Sequence, residues 1–127
     1  MSFQCPQCEQ HFVLHITDRI ELPPDSRSDE ISLQIVKCQT CGFSALAVFE
    51  ESRRGALFPG SVNHTGYHVA DAVLQQVSAL LRACPDPRNP QCNCDSHRTL
   101  RIQNASGRWA WLDQVKLGEP FELVWSG

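Results

Sequence analysis

Cys5-Pro6-Gln7-Cys8 and Cys38-Gln39-Thr40-Cys41 are two Cys-x2-Cys pairs. Two residues between cysteines let one tight turn aim both sulfurs at a single ion while turn amides donate to the thiolates. Zinc takes four ligands in a tetrahedron, and thiolate sulfur suits it. Two facing pairs therefore make a four-thiolate site, and Gly42 suits the backbone of the second turn. Four thiolates leave no open position for water or substrate, so the expected role is structural. The span from Glu9 to Lys37 exceeds the ~15–20 residues of the commonest pattern and leaves room for two strands and a loop. The competing readings are buried thiols and a redox pair. A thioredoxin-type pair sits where a strand enters a helix, and neither pair here precedes the predicted helix.

Cys84, Cys92, Cys94 and His97 form a second constellation, Cys-x7-Cys-x-Cys-x2-His. Pro85, Pro87 and Pro90 stiffen the loop between the first two cysteines. The two sets together use all seven cysteines of the chain, and three thiolates with one imidazole again fill a tetrahedron. One zinc ion is expected from the first set and a second is possible at this one. The alternatives are a loop of free thiols, a redox event between Cys92 and Cys94, or a three-thiolate site with an open position if His97 is not a ligand. His64 and His68, four apart, are further candidates to bind a metal or to replace His97. Their segment lacks the glutamate of His-Glu-x-x-His, which excludes that metalloprotease pattern. The zinc deaminase pattern is absent too, since no His-x-Glu precedes a Pro-Cys-x2-Cys. His11 and His15 flank an alternating strand and read as polar-face residues.

Elements must position these ligands. His11 to Leu22 alternates, with Phe12, Leu14 and Ile16 on one face, and predicts a strand. Pro23, Pro24, Asp25, Ser26 and Ser28 form a loop. Ile31, Leu33 and Ile35 alternate into Cys38, and Phe43 to Phe49 is an apolar strand with both faces partly covered. Glu50 to Thr65, with Gly55, Pro59 and Gly60, reads as a connection. Val69, Val73, Val77, Leu80 and Leu81 then recur at helical spacing and predict one amphipathic helix over roughly 66–83, capped by Thr65 or Asn63. Asn104-Ala105-Ser106-Gly107 is a turn signal. Trp109 and Trp111 are placed on one face of a strand, and Phe121, Leu123 and Trp125 on one face of the last.

The expectation is an α+β chain: a small antiparallel zinc-ribbon sheet, one amphipathic helix and a C-terminal β-hairpin. Residues 1–60 form the ribbon module. Residues 61–127 carry the helix, the Cys/His loop and the hairpin, packed with the first part as one domain.

With these motifs the sequence resembles the broad zinc-ribbon class. Over roughly residues 3–50 the Cys5-Pro6-Gln7-Cys8 and Cys38-x2-Cys41-Gly42 motifs are similar to bacterial and archaeal CpXC-type zinc-binding domains. Ribbons of this class serve in nucleic-acid machinery or dock proteins, so the resemblance implies a binding role without choosing the ligand.

The 127 residues carry a net charge of −3, with 42% hydrophobic and 20% charged residues, which suits a folded chain rather than a disordered tail. A pI near 5.9 is unlike that of a basic nucleic-acid coat. Arg53, Arg54, Arg98, Arg101 and Arg108 are the candidates for a local basic patch, with a solvated face as the competing reading. No basic segment followed by an apolar run opens the chain, so a reducing, cytoplasmic setting is expected, in which clustered cysteines read as metal ligands. The sequence holds no Ser-His-Asp set, phosphate loop or dinucleotide fingerprint. A zinc-binding adaptor that contacts another protein is therefore the leading reading. The alternatives are a nucleic-acid-binding ribbon and a thiol or zinc-dependent enzyme built on Cys84, Cys92, Cys94 and His97.

Overall fold

A computed structural model describes residues 2–53 and 61–127. Its strands are β1 (Ser2–Phe3), β2 (Leu14–Leu22), β3 (Glu30–Cys38), β4 (Ser44–Ser52), β5 (Ser61–His68) and β6 (Glu119–Glu122). Its helices are α1 (Asp71–Ala83), α2 (Asp95–Leu100) and α3 (Ala110–Lys116), all between β5 and β6. The six strands form one antiparallel sheet in sequence order. The fold is mostly β with some helix, broadly the α+β class expected from the sequence.

The sheet curls until its edges meet. After β6 the tail runs beside β1: Gln4 N donates to Val124 O at 2.8 Å, Ser126 N to Ser2 O at 2.9 Å and Ser2 N to Gly127 O at 3.1 Å. Each edge thereby satisfies backbone groups that a free edge would expose.

Curling gives the sheet two buried faces. Ile31, Leu33 and Ile35 of β3 join Leu46, Val48 and Tyr67 on the outer face, where Val77, Leu81, Leu100, Trp109, Leu112 and Val115 cover them. Val36 shares the inner face with Phe3, Leu14, Ala45 and Ala47, and Phe43, Phe121 and Leu123 pack against them. β2 serves both cores because its register shifts between Ile16 and Asp18. The bulge flips the alternation, so Leu14 and Ile16 belong with the inner core while Ile20 and Leu22 belong with the outer one. Phe12 lies outside the strand, with φ of 65° and 62% exposure.

Several sequence expectations are corrected here. The helix begins at Asp71, not near 66, and its N-cap residue is Ala70, which makes no side-chain cap. Asn63, Thr65 and the residues up to His68 belong to β5, which occupies part of the expected connection. Pairing on both sides, with β4 and β6, outweighs the helical spacing there. Gly66 is suited to this strand because a Cβ would run into the Phe121 ring. Arg54, Gly55, Pro59 and Gly60 lie outside the described residues.

The C-terminal hairpin is replaced by helices and a sheet strand. Trp109 is the N-cap residue of α3 and Trp111 lies within it, while β6 pairs with β5. Trp109 is buried and donates its indole N–H to Pro23 O at 2.9 Å, an anchor that alternation alone cannot reveal. The turn at 104–107 is present: Gly107 has φ of 76° and donates to Asn104 O.

Candidate metal centres

The eight sequence-predicted ligands come together as two groups of four. The donor atoms of Cys5, Cys8, Cys38 and Cys41 lie within 4.8 Å of one another, as do those of Cys84, Cys92, Cys94 and His97. Both groups could hold a metal ion.

The first group spans two turns at one end of the sheet. Cys5 and Cys8 lie between β1 and β2, and Cys38 and Cys41 lie at the β3–β4 turn. Leu14 pairs with Cys38, so strand pairing itself brings the turns face to face. Cys5 Sγ is 3.6 Å from Cys41 Sγ, and Cys8 Sγ is 3.8 Å from Cys38 Sγ. A tetrahedron with ~2.3 Å zinc–sulfur bonds has sulfurs about 3.8 Å apart, so the spacing fits this ion, whereas a disulfide needs about 2.05 Å.

Turn amides aim at the sulfurs. Gln7 N donates to Cys5 Sγ at 3.4 Å, and Thr40 N and Cys41 N donate to Cys38 Sγ at 3.3 and 3.4 Å. At Cys5, burial dominates and pushes the thiol up to about 12. At Cys38 burial also pushes upward, but the amides of Cys41 and Thr40, with the neighbouring thiols, bring it down to about 6. The turn amides thus favour the thiolate at Cys38. A divalent cation supplies the charge that would let the remaining sulfurs ionise together.

The second group stands where α1 ends. Cys84 is the C-cap residue of α1, Cys94 is the N-cap residue of α2, and His97 lies inside α2. His97 is fully buried. Its Nδ1 lies 3.3 Å from both Cys84 Sγ and Cys94 Sγ, and Cys84 Sγ is 3.9 Å from Cys92 Sγ. Its Nε2 is 2.9 Å from Glu21 O. A carbonyl oxygen only accepts, so the proton sits on Nε2 and Nδ1 presents its lone pair among the sulfurs. This outer hydrogen bond fixes the tautomer a metal-ligating histidine needs. Burial pushes the Cys84 thiol up to about 12. At Cys94 the backbone amide and ring of His97 overcome burial and bring the thiol down to about 6.

Glu21 ties this group to the sheet from both sides, accepting from His97 and donating its own N–H to Pro87 O at 2.7 Å. Leu14 beside the first group and Glu21 beside the second are seven residues apart on β2. The two clusters therefore sit near opposite ends of one strand.

The other candidate histidines are elsewhere. His64 and His68 lie on β5, and neither belongs to a metal-ligating cluster among the described residues. His68 makes ring contacts with Phe43 and Phe121, and His11 hydrogen-bonds Ser126. The candidate basic patch is also dispersed. Arg53 pairs with Glu30 and Glu51, Arg98 with Asp95, and Arg108 with Asp25 and Glu50, while Arg101 donates to His97 O and Asn93.

The Arg108 network was not anticipated from the sequence. Arg108 Nε is 3.2 Å from Asp25 Oδ2, its terminal nitrogen contacts Glu50, and Lys116 Nζ is 2.9 Å from the other Glu50 oxygen. It joins the β2–β3 loop, β4, the segment before α3 and α3 itself. Burial chiefly, helped by the nearby Arg108, holds the Lys116 ammonium below its usual pKa.

Comparison with known proteins matched no family model, no curated protein and no solved structure. The resemblance to CpXC-type domains thus rests on the two Cys-x2-Cys motifs alone. Among the described residues, no helix is long and apolar enough to cross a membrane.

Proposed function

We propose that the chain is a zinc-binding structural module that works by contacting another protein. Cys5, Cys8, Cys38 and Cys41 hold one Zn2+, and Cys84, Cys92, Cys94 and His97 hold a second. The observation that carries the metal reading is His97, with Nε2–H committed to Glu21 O and Nδ1 beside two sulfurs. Each set fills a tetrahedron, which favours crosslinking over chemistry at an open position. Bound zinc would brace the β1–β2 and β3–β4 turns at one end and pin α1 and α2 to the other. The pairing of β4 with β5 supports reading residues 1–60 and 61–127 as one domain.

Native mass spectrometry of protein purified without added metal tests this reading. Two zinc ions are expected, with one lost in Cys38→Ser and the other in Cys94→Ser. A single ion bound by the unmodified chain overturns the two-site assignment.

The interaction role rests on Phe12 and Trp125, which are 62% and 68% exposed. Ser126 lies against His11, and Gly127 approaches Phe12, so the tail brings these aromatics into one region beside the first cluster. Exposed aromatics are favoured anchors at protein interfaces. Affinity capture with the wild type and a Phe12→Ala/Trp125→Ala variant is the check, with zinc content confirmed equal. The variant is expected to lose a partner at least about tenfold, the effect of removing a hot spot. Equal capture by both removes this surface from the proposal. The arginine pairings above weigh against a nucleic-acid groove, which needs free cationic side chains along one face.

A further inference from the structure

The inner face of the sheet is apolar beside the first cluster and polar further along. Val36, Ala45, Ala47 and Phe3 fill one part. Beyond them, Ser32 and Gln34 are buried on the same face of β3, 3% and 4% exposed, and His64 projects from β5 beside them. A cavity of about 220 Å³ opens here, lined by Ile16, Arg19, Glu21, Glu30, Ser32, Gln34, Phe49 and His64. None of the eight candidate metal ligands lines it.

The polar groups form a chain with one direction. An amide nitrogen only donates and an amide oxygen only accepts, which sets the order. Ser32 Oγ then accepts from Gln34 Nε2 at 3.2 Å. Gln34 Oε1 therefore faces His64 Nε2 at 2.6 Å, and that nitrogen must carry the proton. Nδ1 remains as the acceptor of the ring. Phe3 and Phe49 hold the ring edge-on, with centroids at 5.6 and 5.7 Å. The charges at the rim are unequal: Arg19 pairs with Glu21, and the single Arg53 serves both Glu30 and Glu51. Of the charged side chains that line the cavity, two are carboxylates, Glu21 and Glu30, and one is a guanidinium, Arg19.

We propose that this cavity binds a small aromatic amine. Ile16 and Phe49 cover its flat body, His64 Nδ1 accepts from a ligand N–H, and the surplus rim carboxylate favours its cation. An aromatic wall suits such a cation. The volume lies below the ~300–1,000 Å³ of sites for drug-sized ligands, so the occupant is a single-ring compound.

Benzylamine, benzyl alcohol and benzoate share one shape and differ in charge. Each is titrated into the full chain and followed by amide and side-chain NMR shifts. Benzylamine is expected to give saturable shifts at Ile16, Phe49 and His64, with benzyl alcohol weaker by about tenfold or more and benzoate silent, as loss of a charge-assisted contact requires. His64→Phe keeps an aromatic ring and removes the acceptor, and is expected to weaken benzylamine about tenfold. Glu30→Gln alters only an exposed rim group and is expected to weaken it severalfold, which keeps the test open if His64→Phe does not fold. Absence of saturable shifts, shifts confined to another region, equal binding of benzoate, or unchanged affinity in Glu30→Gln overturns the proposal.

Discussion

Cys38→Ser is expected to leave the chain largely unfolded at 37 °C, with one zinc ion fewer. Cys38 is buried, pairs across the sheet with Leu14 and accepts two turn amides. Serine keeps the size but supplies no thiolate. A structural zinc site contributes roughly 10–16 kcal/mol of apparent binding energy in small zinc domains at pH 7. A whole domain is commonly stable by only ~5–15 kcal/mol, so losing a large part of one site consumes most of it. Thermal melts by circular dichroism, with zinc content measured in parallel, check this. Chelation of the wild type is expected to reproduce the loss and added zinc to reverse it. An unchanged melting curve in Cys38→Ser would falsify the structural role of the first cluster.

Arg108→Ala is expected to destabilise the fold by about 3–5 kcal/mol while leaving both zinc ions in place, the cost of removing one partner from a buried ion pair. The Asp25 side chain is fully buried and that of Glu50 is 11% exposed, and both contact Arg108. Removing the guanidinium leaves these carboxylates with one cation fewer in a poorly solvated site. For a chain of this length the loss corresponds to a fall in Tm of very roughly 10–20 °C. Arg98→Ala is the control. Its partner Asp95 is fully exposed and screened by solvent, so the melting temperature should barely change. Equal melting of the two variants would show that the Arg108 network contributes no more than a surface pair.

The grouping of the donor residues was legible from spacing. Cys5 with Cys8, Cys38 with Cys41, and Cys94 with His97 are chelating neighbours through local turns, and local geometry is what short spacing encodes. The strands around Leu14–Leu22, Glu30–Cys38 and Ser44–Ser52 were legible for a similar reason, since alternation reports a face buried against a core. The same rule failed at Trp109 and Trp111. Two tryptophans two positions apart look alternating, yet Trp109 is the N-cap residue of α3 and its indole reaches Pro23 far away in sequence.

The sequence by itself determined which eight residues could form two donor sets and which central strands would carry the first. Tertiary structure alone decided that β5 is a strand, that the tail closes the sheet against β1, that Glu21 orients His97, and that Arg108 is paired with the buried Asp25 and with Glu50 rather than part of a basic surface. Each of those outcomes depends on a partner distant in the chain. Strand pairing, a carbonyl offered to an imidazole and desolvation of an ion pair are set by what the folded chain brings near, which no local pattern of residues specifies.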